Sequence, residues 1–129
     1  MTFITALIVF GGITLAMLGL EIMTTYATQG FAFGFSSNRA IVERSAFALR
    51  VQRAYQNQIE SAAYAVPVLA AAAIYGLQGD GVETAALLFV IGRAAFALLY
   101  YSGISFIRVP AFLVSNLSII YIIYALLTS

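Results

Sequence analysis

The sequence contains no cysteine and no histidine, and charged residues make up only 9% of its 129 residues. Without cysteine the chain can form neither a disulfide nor a thiolate metal site, and without histidine it lacks the commonest metal ligand and general base. The formal net charge of +1 provides no field that would select nucleic acid. We therefore predict no metal site and no nucleic-acid partner. Any chemistry must use arginine, tyrosine, glutamate, asparagine or groups that a substrate supplies.

Hydrophobic residues make up 63% of the chain, against about 45–50% in an ordinary soluble domain. A water-soluble fold of this size cannot bury so much apolar surface. A helix needs about 20 mostly apolar residues to cross a bilayer, and four stretches of the chain meet this requirement. The sequence predicts a single membrane domain over residues 1–129, with helices at about residues 3–23, 57–77, 82–105 and 109–127.

The connections between the last three predicted helices are only a few residues long, so these helices must be antiparallel neighbours. One long loop, at about residues 24–48, leads into the second helix through a run of arginines: Arg39, Arg44, Arg50 and Arg53. Arginine-rich loops stay on the cytoplasmic side. The predicted fold is an all-α, four-helix membrane bundle with a long cytoplasmic loop and both termini on the non-cytoplasmic side. All six basic residues are arginine and alanine is abundant, which is typical of a GC-rich coding sequence and favours a bacterial inner membrane over the endoplasmic reticulum.

Polar residues follow one face of the second helix. They recur in steps of three, four, three and four residues: Arg50, Arg53, Asn57, Glu60 and Tyr64. At about 100° per residue they fall within roughly 80° of one another. We call this set the polar stripe and interpret it as a candidate ligand-binding surface.

The third predicted helix carries a second polar face with Arg93, Phe96 and Tyr100. Arg93 lies near the middle of the span, where an arginine costs about 2.5–3.5 kcal/mol on insertion scales. We expect it to face a partner inside the bundle, with Glu60 and Glu21 as candidates. Structural ion pairs and interhelical hydrogen bonds would explain the same residues without any ligand.

Two segments resemble a known family. The residues from Arg50 to Glu60, RVQRAYQNQIE, are similar to the Arg-Ala-x-x-Asn-x-x-Glu signature of the membrane-associated proteins in eicosanoid and glutathione metabolism, the MAPEG family, which includes microsomal glutathione transferases. The residues from Arg93 to Tyr100, RAAFALLY, resemble the family's Arg-x-x-Tyr-x-x-x-Tyr motif. The four-helix plan with one long loop resembles the family over the whole chain.

The resemblance implies a homotrimer that binds glutathione as a cosubstrate between adjacent subunits, in the cytoplasmic half of the membrane. Arginine side chains suit the two carboxylates of glutathione, and a glutamate suits its ammonium group. The implied binding residues are the polar stripe with two third-helix residues and one loop arginine from a neighbour: Arg50, Arg53, Asn57, Glu60, Tyr64, Arg93, Tyr100 and Arg39. Arg44 is an alternative to Arg39.

The resemblance also implies a catalytic arginine near the cytoplasmic end of the third helix. A cation beside a thiol favours the reactive thiolate form, and glutathione brings its own sulfur. Arg108 stands at the matching position, within about one residue. A loop charge that sets the topology is an alternative role for Arg108.

Three positions depart from the family pattern. Ser61 follows the signature glutamate, where some members have a tyrosine that contacts glutathione. Pro67 comes seven residues after that glutamate, instead of three or four, and Phe96 replaces the first tyrosine of the third-helix motif. Asn116, on the fourth helix, is predicted to make a helix–helix hydrogen bond.

The sequence thus favours a glutathione-dependent transferase or peroxidase that acts on lipophilic electrophiles arriving from the bilayer. The first alternative is a non-catalytic membrane subunit that packs against other subunits of a larger complex. The third hypothesis, prompted by four spans and the embedded Glu21, is a small multidrug-type transporter. We rank the transporter last because its class has short loops throughout.

Overall fold

The computed structural model describes residues 1–35 and 45–129, and these ranges fold into four helices. All four are long and apolar enough to cross a membrane. The predicted all-α class and the four membrane-length helices are therefore confirmed. The helices are α1 Phe3–Phe35, α2 Ala46–Tyr75, α3 Asp80–Ser102 and α4 Arg108–Leu127.

The predicted boundaries around the long loop are wrong. Helix α1 continues beyond residue 23 to Phe35, although Gly30 has non-helical angles (φ 84°, ψ 166°) that suit glycine. Helix α2 begins at Ala46, and its N-cap residue Ser45 accepts a hydrogen bond from the Ala48 amide at 3.2 Å. Glu60 therefore lies about 21 Å along α2, at 1.5 Å per residue.

The remaining boundaries lie closer to the prediction. Helix α3 ends at Ser102 and not at residue 105, because Gly103 adopts a left-handed conformation (φ 80°) and its amide donates to carbonyl oxygens of the last turn. The predicted site residue Arg39, like Arg44, lies outside the described residues. The sidedness of the bundle stays a prediction.

Contacts at the two ends of the bundle give the helix directions. One end carries Asp80 and Glu83, and we call it the acidic end. There the Met1 amino group donates to the Glu83 carbonyl oxygen at 3.5 Å. At the other, the arginine end, Arg50 Nε donates to the Tyr101 carbonyl oxygen at 3.1 Å. The start of α1 thus lies beside the start of α3, and the start of α2 lies beside the end of α3. Helices α1, α2 and α3 alternate in direction.

The core lies mainly in the acidic half of the bundle, where aromatic and branched side chains from all four helices meet. The Phe10 and Phe89 rings are 5.2 Å apart between centroids and join α1 to α3. Large apolar side chains also cover the outside, for example Ile74, Leu98 and Leu117. This exposure is expected for helices whose outer surface contacts lipid tails. The core residues include Phe3, Ala6, Phe10, Ala65, Leu69, Ala72, Ala86, Phe89, Val90, Ile119 and Ile122.

Helices α3 and α4 approach closely at Gly92. A Cβ atom there would meet the Ser115 side chain, and it would lie 3.0 Å from the Ala111 carbonyl oxygen and 3.2 Å from the Ser115 amide nitrogen. The buried Ser115 hydroxyl donates to the Phe89 carbonyl oxygen at 3.2 Å. Small residues at such crossings let membrane helices pack backbone to backbone.

Candidate functional site

Arg93 lies inside the bundle, with 0% of its surface exposed. Its Nε donates to Gln58 Oε1 at 3.0 Å, and its Nη2 donates to Asn57 Oδ1 at 2.9 Å. Its Cζ atom lies 4.9 Å from the centroid of the Phe96 ring. The prediction that Arg93 faces a partner inside the protein is confirmed.

The predicted partners of Arg93 are wrong. Two amide oxygens take the place of the carboxylates of Glu60 and Glu21, because Glu60 points outward and is exposed, and Glu21 is only half-buried. Arg93 Nη1 is buried and has no hydrogen-bond partner in the part of the chain that the structure describes. The neutral amides of Gln58 and Asn57 accept hydrogen bonds from Arg93 but do not cancel its charge. The guanidinium therefore places a positive charge beneath the polar stripe.

Gln58 is the residue that the sequence reasoning missed. It is fully buried, and besides accepting from Arg93 it donates through Nε2 to Thr14 Oγ1 at 3.0 Å. The Thr14 hydroxyl in turn donates to the Phe10 carbonyl oxygen at 2.8 Å. This chain of hydrogen bonds joins α1, α2 and α3. A signal was present in the sequence, because Gln58 is the one long polar residue among small residues at helical spacing. Its neighbours on the buried face of α2 are Ala54, Ser61 and Ala65.

The rest of the polar stripe lies on the surface of the single chain. Arg53 and Glu60 are exposed, and Asn57 is half-buried because its oxygen reaches Arg93. Tyr64 is 39% exposed. The four stripe residues after Arg50 therefore present one cation, one anion and two uncharged polar groups along a single face of α2.

Arg50 makes a hydrogen bond to the end of α3. Besides the hydrogen bond from its Nε to the Tyr101 carbonyl oxygen, its guanidinium lies 5.8 Å from the centroid of the Phe47 ring. A Cβ at Gly103 would be 3.6 Å from Arg50 Cζ. A cation at this place complements the negative end of the α3 dipole, so Arg50 has a structural role in the single chain.

An aromatic cluster links α3 and α4 next to the stripe. The Arg108 guanidinium stacks over the Tyr100 ring at 4.4 Å, and Tyr100 meets Phe96 edge-on at 5.5 Å between centroids. Phe96 also contacts Phe112, at 5.7 Å. The structure thus brings Arg108, Tyr100 and Arg93 to one side of α3, with Phe96 between them.

Two of the departures from the family motif have a structural explanation. Ser61 is buried, and its hydroxyl donates to the Gln58 carbonyl oxygen at 2.7 Å, so it is turned into the bundle beside the stripe. Phe96 is also buried, and its ring packs among the rings of Tyr100 and Phe112 and the Arg93 guanidinium, contacts that need no hydroxyl.

Asn116 makes the predicted contact between helices. The Tyr64 hydroxyl donates to Asn116 Oδ1 at 2.5 Å and joins α2 to α4. Within residues 1–35 and 45–129, no group of three or more Asp and Glu side chains could hold a metal ion. The exposed Arg53 and Glu60 side chains can form charge-assisted hydrogen bonds with groups of opposite charge.

Comparison with known proteins gives one family. The family model of the MAPEG family matches residues 3–128, which is nearly the whole chain. No curated protein and no solved structure matches the chain.

Proposed function

This chain belongs to the MAPEG family and is a multi-pass membrane protein, and we propose that it is a transferase or peroxidase that uses glutathione as cosubstrate against lipophilic electrophiles. The observation that carries the proposal is the outward face of α2, where Arg53 and Glu60 stand exposed on either side of Asn57. A surface that faced only lipid would not carry charged residues at these positions, because a charge in the membrane is costly. A ligand of mixed charge accounts for both signs.

The spacing of the stripe suits a tripeptide. Arg53 and Glu60 are seven residues apart, which is about 10 Å along the helix axis. Glutathione is a short peptide with two carboxylates and one ammonium, so Arg53 binds a carboxylate and Glu60 binds the ammonium. The uncompensated charge of Arg93, which reaches Asn57, adds attraction for an anionic ligand.

The thiol of glutathione lies at the arginine end in this proposal. Arg108, stacked on Tyr100, stabilises the thiolate. The thiolate sulfur then forms a bond to the electrophilic carbon, the thiol proton passes to solvent, and the leaving group of the electrophile departs with the bonding electrons. The electrophile enters from the lipid phase that surrounds the helices.

Removing either charge of the stripe tests ligand binding. We expect Arg53→Ala and Glu60→Gln each to weaken glutathione binding by about 1.5–3 kcal/mol, the usual size of a hydrogen bond to a charged group. Because both side chains are exposed in the single chain, the folding of the subunit should not change, and oligomer size is measured alongside as a control. Calorimetry and the glutathione-induced thermal shift in detergent measure the effect.

The matched control for this experiment is Gln52→Ala, a polar residue of α2 about 120° away from the centre of the stripe. It should leave the shift unchanged. Well-folded Arg53 and Glu60 variants with an undiminished shift would remove these residues from the site. A wild type that shows no shift with glutathione would refute the proposed cosubstrate.

We also propose that the protein is a homotrimer with α2 facing the neighbouring subunits. Arg53 and Glu60 are exposed on a helix of membrane length, and a charge facing lipid at the centre of a span costs about 2.5–3.5 kcal/mol. A neighbour that covers the stripe removes this cost. Native mass spectrometry of the detergent-purified protein should show trimers, and a population of only monomers and dimers would argue against this arrangement.

A second candidate, a non-catalytic membrane subunit, is favoured by one observation. Arg50 is used to hold the end of α3, and Ser61, which follows the signature glutamate, is turned into the bundle, so two residues that could have contacted a ligand support the fold instead. Such a subunit would co-purify stoichiometrically with other chains, and glutathione would not raise its melting temperature.

A further inference from the structure

The contact between Tyr64 and Asn116 gives the Tyr64 hydroxyl a direction. Its oxygen lies 2.5 Å from Asn116 Oδ1, and a carbonyl oxygen can only accept a hydrogen bond. The phenolic proton therefore points towards α4. The lone pairs of the Tyr64 oxygen remain available as acceptors, and the 39% exposure of the side chain leaves them within reach of a ligand.

Glu60 lies one helical turn before Tyr64 on the same face. Residues four apart on a helix have Cβ atoms about 5–6 Å from each other, and Glu60 is exposed. Two acceptors, a carboxylate and a phenolic oxygen, therefore lie side by side on the surface of α2. Only a hydrogen-bond donor, above all a cation, can satisfy both of them.

We propose that Asn116 is a positioning residue of this site: by accepting the Tyr64 proton it makes Tyr64 an acceptor, and Tyr64 and Glu60 together bind the ammonium of the ligand. This inference rests on the proposed function, and it gives the bound peptide a direction. The amino end lies towards Tyr64, and the thiol lies towards Arg53 and Arg108 at the arginine end. Tyr64, which carries the hydroxyl of this site, is exposed and lies about one helical turn after the buried Ser61.

The test compares glutathione with an analogue that lacks only the α-amino group, in which a glutaryl group replaces the γ-glutamyl group. Dissociation constants are measured by calorimetry for the wild type, Asn116→Leu, Tyr64→Phe and the double variant. We expect the wild type to prefer glutathione by about tenfold or more, since a hydrogen bond to a charged group is lost with the amine. Each single variant should lose part of this preference, since Glu60 still binds the ammonium, and each should bind the analogue as the wild type does.

The double variant shows whether Asn116 acts through Tyr64. Once Tyr64 has lost its hydroxyl, Asn116→Leu should cause no further loss of preference, because coupled residues are not additive. A full additional loss in the double variant would overturn the proposal. Equal weakening of both ligands by Asn116→Leu would also overturn it, since that result indicates a role in packing alone.

Two further outcomes separate this inference from the function on which it rests. If the wild type binds neither compound, the proposed function fails and the inference fails with it. If the wild type binds both equally well, the ammonium subsite alone is refuted. Tyr64→Phe keeps the ring and removes only the hydroxyl, so a Tyr64→Phe protein that retains the full amine preference refutes the proposal even where Asn116→Leu does not fold.

Discussion

Replacing Gln58 by leucine is expected to destabilise the bundle by about 1.5–3 kcal/mol, the usual size of a hydrogen bond to a charged group. Arg93 would lose the acceptor of its Nε, and Thr14 would lose the amide that reaches it from α2. Since Arg93 Nη1 already has no partner in the described ranges, two of the three guanidinium nitrogens would then be unsatisfied. Yield and the midpoint of thermal unfolding in detergent measure the loss.

Two companion variants control for this result. Gln58→Glu has the same length and keeps the acceptor for Arg93 Nε. It loses the amide donor to Thr14 but adds a compensating charge, so we expect it to be more stable than Gln58→Leu. Arg93→Leu in the Gln58→Leu background removes the stranded charge, and replacing both partners by apolar groups can be nearly neutral. We therefore expect the double variant to be more stable than Gln58→Leu alone. A Gln58→Leu protein of wild-type stability would show that Arg93 finds another partner.

Adding a single methyl group at Gly92 is expected to destabilise the protein by about 1–3 kcal/mol, the usual cost of overpacking a close-packed core. The new Cβ would lie 3.0 Å from the Ala111 carbonyl oxygen and 3.2 Å from the Ser115 amide nitrogen. Both are backbone atoms, so they can move only if α4 moves away from α3. That movement would also break the hydrogen bond from Ser115 to Phe89.

The matched control is Gly12→Ala on α1, where a Cβ would meet nothing within 4 Å. Alanine is favoured over glycine in a helix by up to about 1 kcal/mol, so this variant should melt at the wild-type temperature or slightly above it. The two proteins differ from the wild type by the same methyl group. If Gly92→Ala melted together with Gly12→Ala, the close packing of α3 on α4 would not contribute to stability.

The predictions for Gln58 and Gly92 concern two different sets of helix contacts that hold the polar stripe in place. The Gln58 network joins α1, α2 and α3 directly under the polar stripe. The Gly92 contact fixes α4, which carries Asn116, against α3. A loss at either place should therefore disturb ligand binding through the shape of the bundle. For this reason the binding variants proposed above change exposed or half-buried side chains, and each is paired with a measurement of folding.

The four spans could be predicted because length and apolarity are local properties of the chain. The start of α2 could not be located by the same reasoning, since its first turns carry Arg50 and Arg53 and their polarity lowers the hydropathy that marks a span. The spacing of those residues did indicate a helix, and Ser45 supplies the cap that begins it. Hydrophobicity and periodicity disagreed at this point, and periodicity was the better guide.

The sequence by itself determined that a polar stripe lies along α2 and that Arg93 needs a partner, because helical spacing and the cost of a charge in the membrane follow from residue types alone. Only the tertiary structure decided which side chain meets that need. Asn57, Gln58 and Glu60 differ in direction around the helix by 100° per residue. The packing of α2 against α1 and α3 turns Gln58 fully inward, leaves Asn57 at the edge and points Glu60 outward. That rotation depends on contacts between distant segments, and no local pattern encodes it.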